Sequence, residues 1–404
     1  MLWGPIMEPI LAQQNVSDPR LKLILNGLII AVYPLAQFFA IHPLNSLSDL
    51  IGKKKVLFIT QAGTVLSIML SILALSVPVL RNYGVAGMSY GIWLIIFSRV
   101  FDGISGGNAM VTNNYANDII NTENLDKTKA FPSIELSMIA GSLSGVFLGP
   151  IFGQSRFGTV GALYLILVIS IVGLYVIYSK VTNLKVKENI KLSIADDLNL
   201  IAQIKKTNKY PVVQQTLIYR AVFQFLFMSF ITSIFIFLKT HLGIEGSELS
   251  TVMFIVATIT VIAITIVVPN IIGKKGVEFA FAQSKSFLLS GLLLFFIIPF
   301  FGSEFGVGLA LLLAYFVLVI GVALALSLFK QFLTDTLEVE KQGQVIALEE
   351  QVIIFSAFLG ATTTGLVSAL IKSFELPAQF LFFYFFVLGI IYLGINHLTF
   401  RKKL

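Results

Sequence analysis

The sequence predicts an all-α integral membrane protein of twelve helices in two six-helix bundles. Three observations carry that expectation. Hydrophobic residues make up 56% of the 404 and charged residues only 12%, against about 25% charged in an average soluble chain. So little charge cannot cover a water-facing surface, and the apolar side chains must meet lipid. Eleven runs are long enough to span a bilayer core, which takes about 20 apolar residues each. Finally, basic residues rise and fall in density from one loop to the next, as membrane topology demands.

The elements follow in chain order. Residues 1–11 are apolar but short, reaching roughly 17 Å of a ~30 Å core. No basic segment precedes them, so a signal peptide fits poorly. They read as the end of a shortened first helix. The full spans are 21–43, 55–78, 86–110, 133–155, 158–179, 214–238, 249–270, 279–301, 305–329, 345–370 and 376–398. These runs are too long for barrel strands and lack period-two alternation. The polar stretch 180–210 carries seven lysines and divides the helices six and six. Its part 190–206 has the spacing of a surface helix. The expected division is an N-terminal bundle over 1–179, a central cytoplasmic loop over 180–212 and a C-terminal bundle over 213–404.

Placing the central loop inside and alternating from there sorts the loop cations. Inside fall Lys53, Lys54, Lys55, Lys127, Lys129, the seven loop lysines, Lys274, Lys275, Lys330, Lys341, Arg401, Lys402 and Lys403. Outside fall Arg20, Lys22, Arg81, Arg156, Lys239 and Lys372. The bias supports the helix count independently of hydropathy and places both termini in the cytoplasm. It also explains the net charge of +7 without nucleic acid. Cysteine is absent and the three histidines, His42, His241 and His397, are far apart. No metal site and no cofactor is expected.

Three segments carry meaning beyond hydropathy. Between two spans lies Asn45-Ser-Leu-Ser-Asp49-Leu-Ile-Gly52-Lys53-Lys54-Lys55. Here a carboxylate can pair across the bundle, a glycine permits a turn, and three lysines are expected at the headgroups. In the span 86–110, Arg99 and Asp102 stand at i and i+3, so they share a helix face, and Gly103 and Gly106 continue that stripe. An arginine at a helix centre costs at least about 2.5–3.5 kcal/mol on insertion scales and needs a partner. In the span 133–155, Gly141, Gly145, Gly149, Pro150 and Gly153 combine a smooth packing face with a proline that removes a backbone hydrogen bond. They form a candidate hinge.

These segments, in this order, resemble the major facilitator superfamily. The first is similar to its Gly-x-x-x-Asp-Arg-x-Gly-Arg-Arg loop, with Asn45 and Leu50 as departures. The third matches its antiporter pattern Gly-x-x-x-Gly-Pro-x-x-Gly-Gly, with Gln154 in the last place. With Tyr33-Pro-Leu-Ala-Gln37 and Asp118 added, residues 1–180 resemble drug:proton antiporters, and the tetracycline efflux group above all. The segment Asn270-Ile-Ile-Gly273-Lys274-Lys275 echoes the first loop, as a fold of two related halves implies.

The resemblance implies a cavity near mid-membrane. Candidate lining residues are Gln37, Asn108, Arg220 and Gln224. Asn113, Asn114 and Asn117 continue the polar end of the fourth helix that Asn108 begins, with the cytoplasmic surface as the alternative place for these three. Arg220 lies about two turns into its span, where snorkelling competes with a role in the cavity. Candidate proton carriers are Asp102 with Arg99, and Glu8; Glu135, Glu349 and Glu350 read as interfacial. The resulting expectation is a monomeric secondary transporter in the plasma or inner membrane. It would export a small amphipathic compound or drug against protons. The alternatives are proton-coupled uptake of a sugar or other nutrient, and a non-transporting sensor. No Gly-x-x-x-x-Gly-Lys-Ser/Thr run occurs, and no catalytic constellation points to an enzyme.

Overall fold

In hydrocarbon a backbone must satisfy its own hydrogen bonds, and the long apolar runs accordingly form helices. The computed structural model describes residues 10–11, 14, 19–85, 88–126, 158–183, 210–241, 258–297, 304–335 and 337–374, with isolated residues within 130–152, 252–256 and 376–394. Two compact units are present. Unit 1 comprises Met1–Asn124, Gly145–Thr207 and Glu340–Phe355; unit 2 comprises Leu125–Ser144, Asn208–Val339 and Ser356–Leu404.

Unit 1 begins with α1, Pro19–Ile51, which holds Pro34 and Pro43 internally. It stops at Gly52, whose φ of 98° suits only glycine well, and α2 (Lys53–Ser76) starts at once. The turn is closed by the Gly52 N–H donating to the Ser48 carbonyl at 3.1 Å. Pro78 opens the short α3 (Pro78–Asn82), where its missing N–H costs nothing. Strands β1 (Gly84–Val85) and β2 (Met88–Ser89) pair antiparallel. The Ser89 hydroxyl then caps α4 (Tyr90–Ser105) by accepting from the Ile92 N–H at 3.2 Å. After Gly106 and Gly107 come α5 (Asn108–Thr122) and α6 (Gly158–Lys180).

The packing of unit 1 inverts the soluble pattern. On α2, Ser67, Ser71 and Thr60 are buried, whereas Ile59, Leu66, Met69 and Leu73 are exposed. The α6 face with Val168, Ile169, Val172 and Tyr175 is likewise apolar and exposed. Among the described residues, five stretches are long and apolar enough to cross a membrane: Lys53–Ser76, Val160–Lys180, Thr258–Lys275, Phe279–Ile297 and Lys341–Thr364.

Unit 2 contains α7 (Pro211–His241), a π-helical turn (Ala263–Val267), α8 (Val268–Lys275), α9 (Val277–Ile297) and α10 (Glu304–Asp335). Its core sets rings among aliphatic side chains: Phe223, Phe230, Phe295 and Phe329 are buried with leucines, valines and alanines of α10. Helices α9 and α10 approach closely at two glycines. A Cβ on Gly291 would lie 2.7 Å from the Leu318 Cα, and one on Gly321 2.6 Å from the Leu288 N. The last helix, α11, runs Val339–Ser373; its residues Glu340–Phe355 belong to unit 1 and Ser356 onward to unit 2.

Several expectations change in detail. The span 86–110 is interrupted, because α4 ends at Ser105 and α5 begins at Asn108. The echo of the first turn is Gly276, with φ 85° between α8 and α9, rather than Gly273, which is inside α8 with open space around it. Lys53, expected at the headgroups, is buried. The stretches 1–9 and 184–209 lie outside the described residues.

Candidate functional site

In unit 1 the polar groups of α1, α2 and α4 meet inside an apolar shell. Arg99 Nη1 donates to Asp102 Oδ2 at 2.9 Å, and the two side chains are only 7% and 14% exposed. One turn of helix places both groups on the same face, so the pair forms without strain and limits the cost of burying each charge. The Arg99 guanidinium also lies 4.5 Å from the centre of the Tyr33 ring, a cation–π contact that strengthens when desolvated. Thr64 and Ser67 of α2 stand beside the Asp102 carboxylate. The ion pair is therefore lined from three helices.

Glycines bring α1 against α4. A Cβ on Gly103 would lie 2.7 Å from the Ala36 Cβ and press on the Tyr33 carbonyl, and one on Gly106 would meet the Tyr33 ring at 3.0 Å. The interruption after Ser105 has a second effect. It leaves the Gly106 carbonyl to accept from Gln37 Nε2 at 2.8 Å, so a helix break inside the bundle is satisfied by the side chain expected at the cavity. Asn108 donates to Gln61 Oε1 at 3.3 Å, and Gln61 donates to the Ser170 carbonyl of α6 at 3.0 Å. Ser98 donates to the Ser67 carbonyl at 2.9 Å and meets Ser71 at 2.5 Å.

A second polar group occupies the other end of α5. Lys53 forms an ion pair with Asp118 and donates to the Asn114 carbonyl at 3.3 Å. Asn114 donates to Asn45 Oδ1 at 2.6 Å and to the Gly343 carbonyl at 3.3 Å. Asn113 donates to Glu350 Oε1 at 2.6 Å, while Asn117 and Asn121 donate to Gln342 Oε1 at 3.1 and 3.0 Å. These residues correct the surface reading. Asn113, Asn114 and Asn117 are at most 2% exposed, Glu349 is fully buried and Glu350 is 6% exposed. The asparagines thus donate to Gln342, Gly343 and Glu350 on one stretch of α11.

The remaining candidates are dispersed. Asp49 is half-buried, Lys54 lies 5.9 Å from the Tyr178 ring centre, and Lys55 is exposed. Gly141 is exposed with open space where a Cβ would stand, so no close helix approach depends on it; Gly145 is half-buried. Glu8, Gly149, Pro150 and Gly153, and Glu135 with them, lie outside the described residues. In unit 2, Arg220 and Gln224 are buried on one face of α7, and the Arg220 guanidinium stands 5.1 Å from the Phe329 ring centre. That contact places it in the aromatic core and not at an interface. Nearby, Lys285 lies over Phe281 at 4.8 Å and Tyr219 at 5.7 Å.

The model of the Major Facilitator Superfamily matches residues 2–361. The chain belongs to the major facilitator superfamily. It is a multi-pass integral membrane protein and a transporter rather than an enzyme. A stretch of 129 residues is 26% identical to the tetracycline resistance protein, class C, of Escherichia coli, over 31% of this chain and 28% of that protein. The match thus spans under a third of the relative's length. Two solved structures share the fold of this facilitator. The human organic anion transporter TETRAN is 17% identical with a TM-score of 0.70, over 97% of this chain and 89% of that one. The proton:xylose symporter XylE, bound to 6-bromo-6-deoxy-D-glucose, is 14% identical with a TM-score of 0.71, over 100% and 93%.

Sequence reasoning missed Tyr33, Gln61 and the serines of α2 and α4 as parts of the first group, and the asparagine–Gln342–Glu350 contacts of the second. The spacing of Asn113, Asn117 and Asn121 at i, i+4 and i+8 was a readable signal of one polar helix face.

Proposed function

We propose that this transporter exports a small amphipathic compound in exchange for protons, by alternating access. The observation that carries the reading is the enclosed Arg99–Asp102 pair capped by Tyr33. An ionisable pair inside a membrane bundle is a functional site by default. Protonating Asp102 releases Arg99, and a proton that binds one facing state better than the other shifts the population toward it. The likeness to a tetracycline resistance protein supports export and suggests the compound class.

Further assignments belong to the same reading. Arg99 and Asp102, with Glu8, carry the proton. Gln37, Asn108, Arg220 and Gln224 contact substrate. The loop Asp49, Gly52, Lys53, Lys54 and Lys55 gates, and the glycines from Gly141 through Gly153 with Pro150 form a hinge. The bundles are 1–179 and 213–404, joined by the loop 180–212. The protein works as a monomer in the plasma or inner membrane with both termini in the cytoplasm. A second reading is proton-coupled sugar uptake, favoured by the fold shared with XylE over the whole chain.

Inverted membrane vesicles separate the two. Labelled tetracycline should accumulate under an imposed pH gradient and fail to do so in Asp102→Asn, with expression unchanged. Gradient-driven movement of labelled xylose but not of tetracycline overturns the export reading.

A further inference from the structure

A proton bound for Asp102 must cross the packed interior of unit 1, where Ala74, Leu75, Ile92 and Ile95 are buried. We propose that Ser71, Ser98 and Ser67 form a hydroxyl relay that carries protons to Asp102 along the contact between α2 and α4. This deepens the proton-coupled reading and rests on it.

The three hydroxyls gather at residue 67. Ser71 Oγ and Ser98 Oγ face each other across the two helices at 2.5 Å. Both also donate to the Ser67 carbonyl, Ser98 at 2.9 Å and Ser71 at 3.2 Å. Ser67 in turn stands beside the Asp102 carboxylate, with Thr64. Thr64, Ser67 and Ser71 follow one another at three- and four-residue steps on α2, and Ser98 stands four before Asp102 on α4. Such spacing keeps each set on one helix face. Ser71 and Ser98 are fully buried and Ser67 is 2% exposed.

Helix packing alone asks for less. A buried hydroxyl in a helix satisfies itself on a carbonyl one turn back, as Thr60 does on Val56 at 2.9 Å. Ser71 has that bond on Ser67 already, and its contact with Ser98 comes in addition. A hydroxyl rotates and both donates and accepts, whereas a carbonyl only accepts. Protons can therefore pass along hydroxyls. At each transfer an oxygen takes the incoming proton and releases the one it held, so one O–H bond forms as another breaks. The last transfer leaves the proton on an Asp102 oxygen. The carboxylate loses its charge there, and Arg99 keeps its own.

Polar contacts continue one turn beyond Ser71. Gln14 Nε2 donates to the Ala74 carbonyl at 3.2 Å, and Gln14 Oε1 accepts from the Ser89 hydroxyl at 2.6 Å. That end of the bundle lies opposite the Lys53–Asp118 pair, and the proposed topology puts it outside. Around Asp102 itself, α4 brings Arg99 and α1 brings Tyr33, while α2 brings Thr64 and Ser67. Arg99 and Tyr33 set how readily Asp102 holds a proton. The serines set how fast one arrives.

Infrared spectra of the purified protein in liposomes, recorded after a pH jump, follow the carboxyl band that Asp102→Asn removes. No transported compound is needed. Ser71→Ala and Ser98→Ala should each slow the appearance of that band about tenfold or more and leave the pH of its midpoint at the parental value. Ser67→Ala should slow the band and also move the midpoint, because Ser67 stands beside the carboxylate. Thr60→Val loses a hydroxyl bonded within α2 and should keep the parental rate and midpoint. Parental rates in Ser71→Ala and Ser98→Ala, an equal slowing in Thr60→Val, or a midpoint that moves with the rate in both serine variants overturns the relay and leaves these hydroxyls as packing contacts. A parent without any Asp102-dependent band sinks the relay together with the proton-coupled reading. Failure of tetracycline transport with both serine variants slowed sinks only the export reading.

Discussion

The two units solve helix packing in lipid with different chemistry. In unit 1, helices α1, α2 and α4 touch through glycines and side-chain hydrogen bonds: Gly103 against Ala36, Gln37 on the Gly106 carbonyl, Ser98 on Ser67. In unit 2, the core of α7, α9 and α10 sets rings into aliphatic packing. Phe230 and Phe295 meet edge to face at 4.7 Å, and Phe329 lies 5.4 to 6.1 Å from Tyr219, Phe223 and Phe281. Its hydrogen bonds between helices include Thr260 with Tyr315 at 3.0 Å and Ser229 on the Gly360 carbonyl at 3.1 Å. Without water, a polar contact must be complete to be tolerated, whereas ring packing asks only for shape. Unit 1 thus joins its helices through polar groups, whereas in unit 2 Arg220 and Lys285 are bedded on rings.

The contrast can be broken from either side. The largest effect is expected from Asp102→Asn, which should abolish proton-driven flux while membrane expression stays at the parental level, read by transport in vesicles beside a quantitative blot. Next, Phe329→Ala should remove about 3–5 kcal/mol of stability by opening a cavity among the rings of unit 2, seen as a lower midpoint in detergent unfolding. Gly103→Ala should cost about 1–3 kcal/mol through overpacking, since its Cβ would press on Tyr33 and Ala36, and the same unfolding measurement reads it. Ser98→Ala should cost least, about 0.6 kcal/mol, the average worth of an interhelical hydrogen bond in a membrane bundle. An order in which Ser98→Ala destabilises more than Phe329→Ala would erase the distinction between the units.

Much of this was legible in the sequence, for physical reasons. Long apolar runs have few ways to satisfy their backbones in lipid, so helix positions follow from hydropathy; α6 (Gly158–Lys180) matches the predicted span 158–179 within a residue at its end. The Arg99–Asp102 pair is equally readable, because i and i+3 on one helix meet without help from the fold. Contacts between helices were not readable. Nothing local says that Tyr33 caps Arg99, that Lys53 turns inward to Asp118, or that Asn113 meets Glu350 across 237 positions. Hydropathy scored Glu349 and Glu350 as an interface because it counts charges and cannot see the asparagines that receive one of them. The break at Gly106 escaped for a related reason: two glycines in an apolar run read as packing until a side chain such as Gln37 is seen taking the freed carbonyl.

The central claim, that a buried carboxylate in unit 1 exchanges protons as substrate moves, has a direct measurement. Purified protein in liposomes with a trapped pH dye would be given a tetracycline on one side. Proton movement across the membrane that starts with the compound and disappears in Asp102→Asn is the predicted result. An equal dye response in the parent and in Asp102→Asn, or transport of the compound with no proton movement at all, would contradict it.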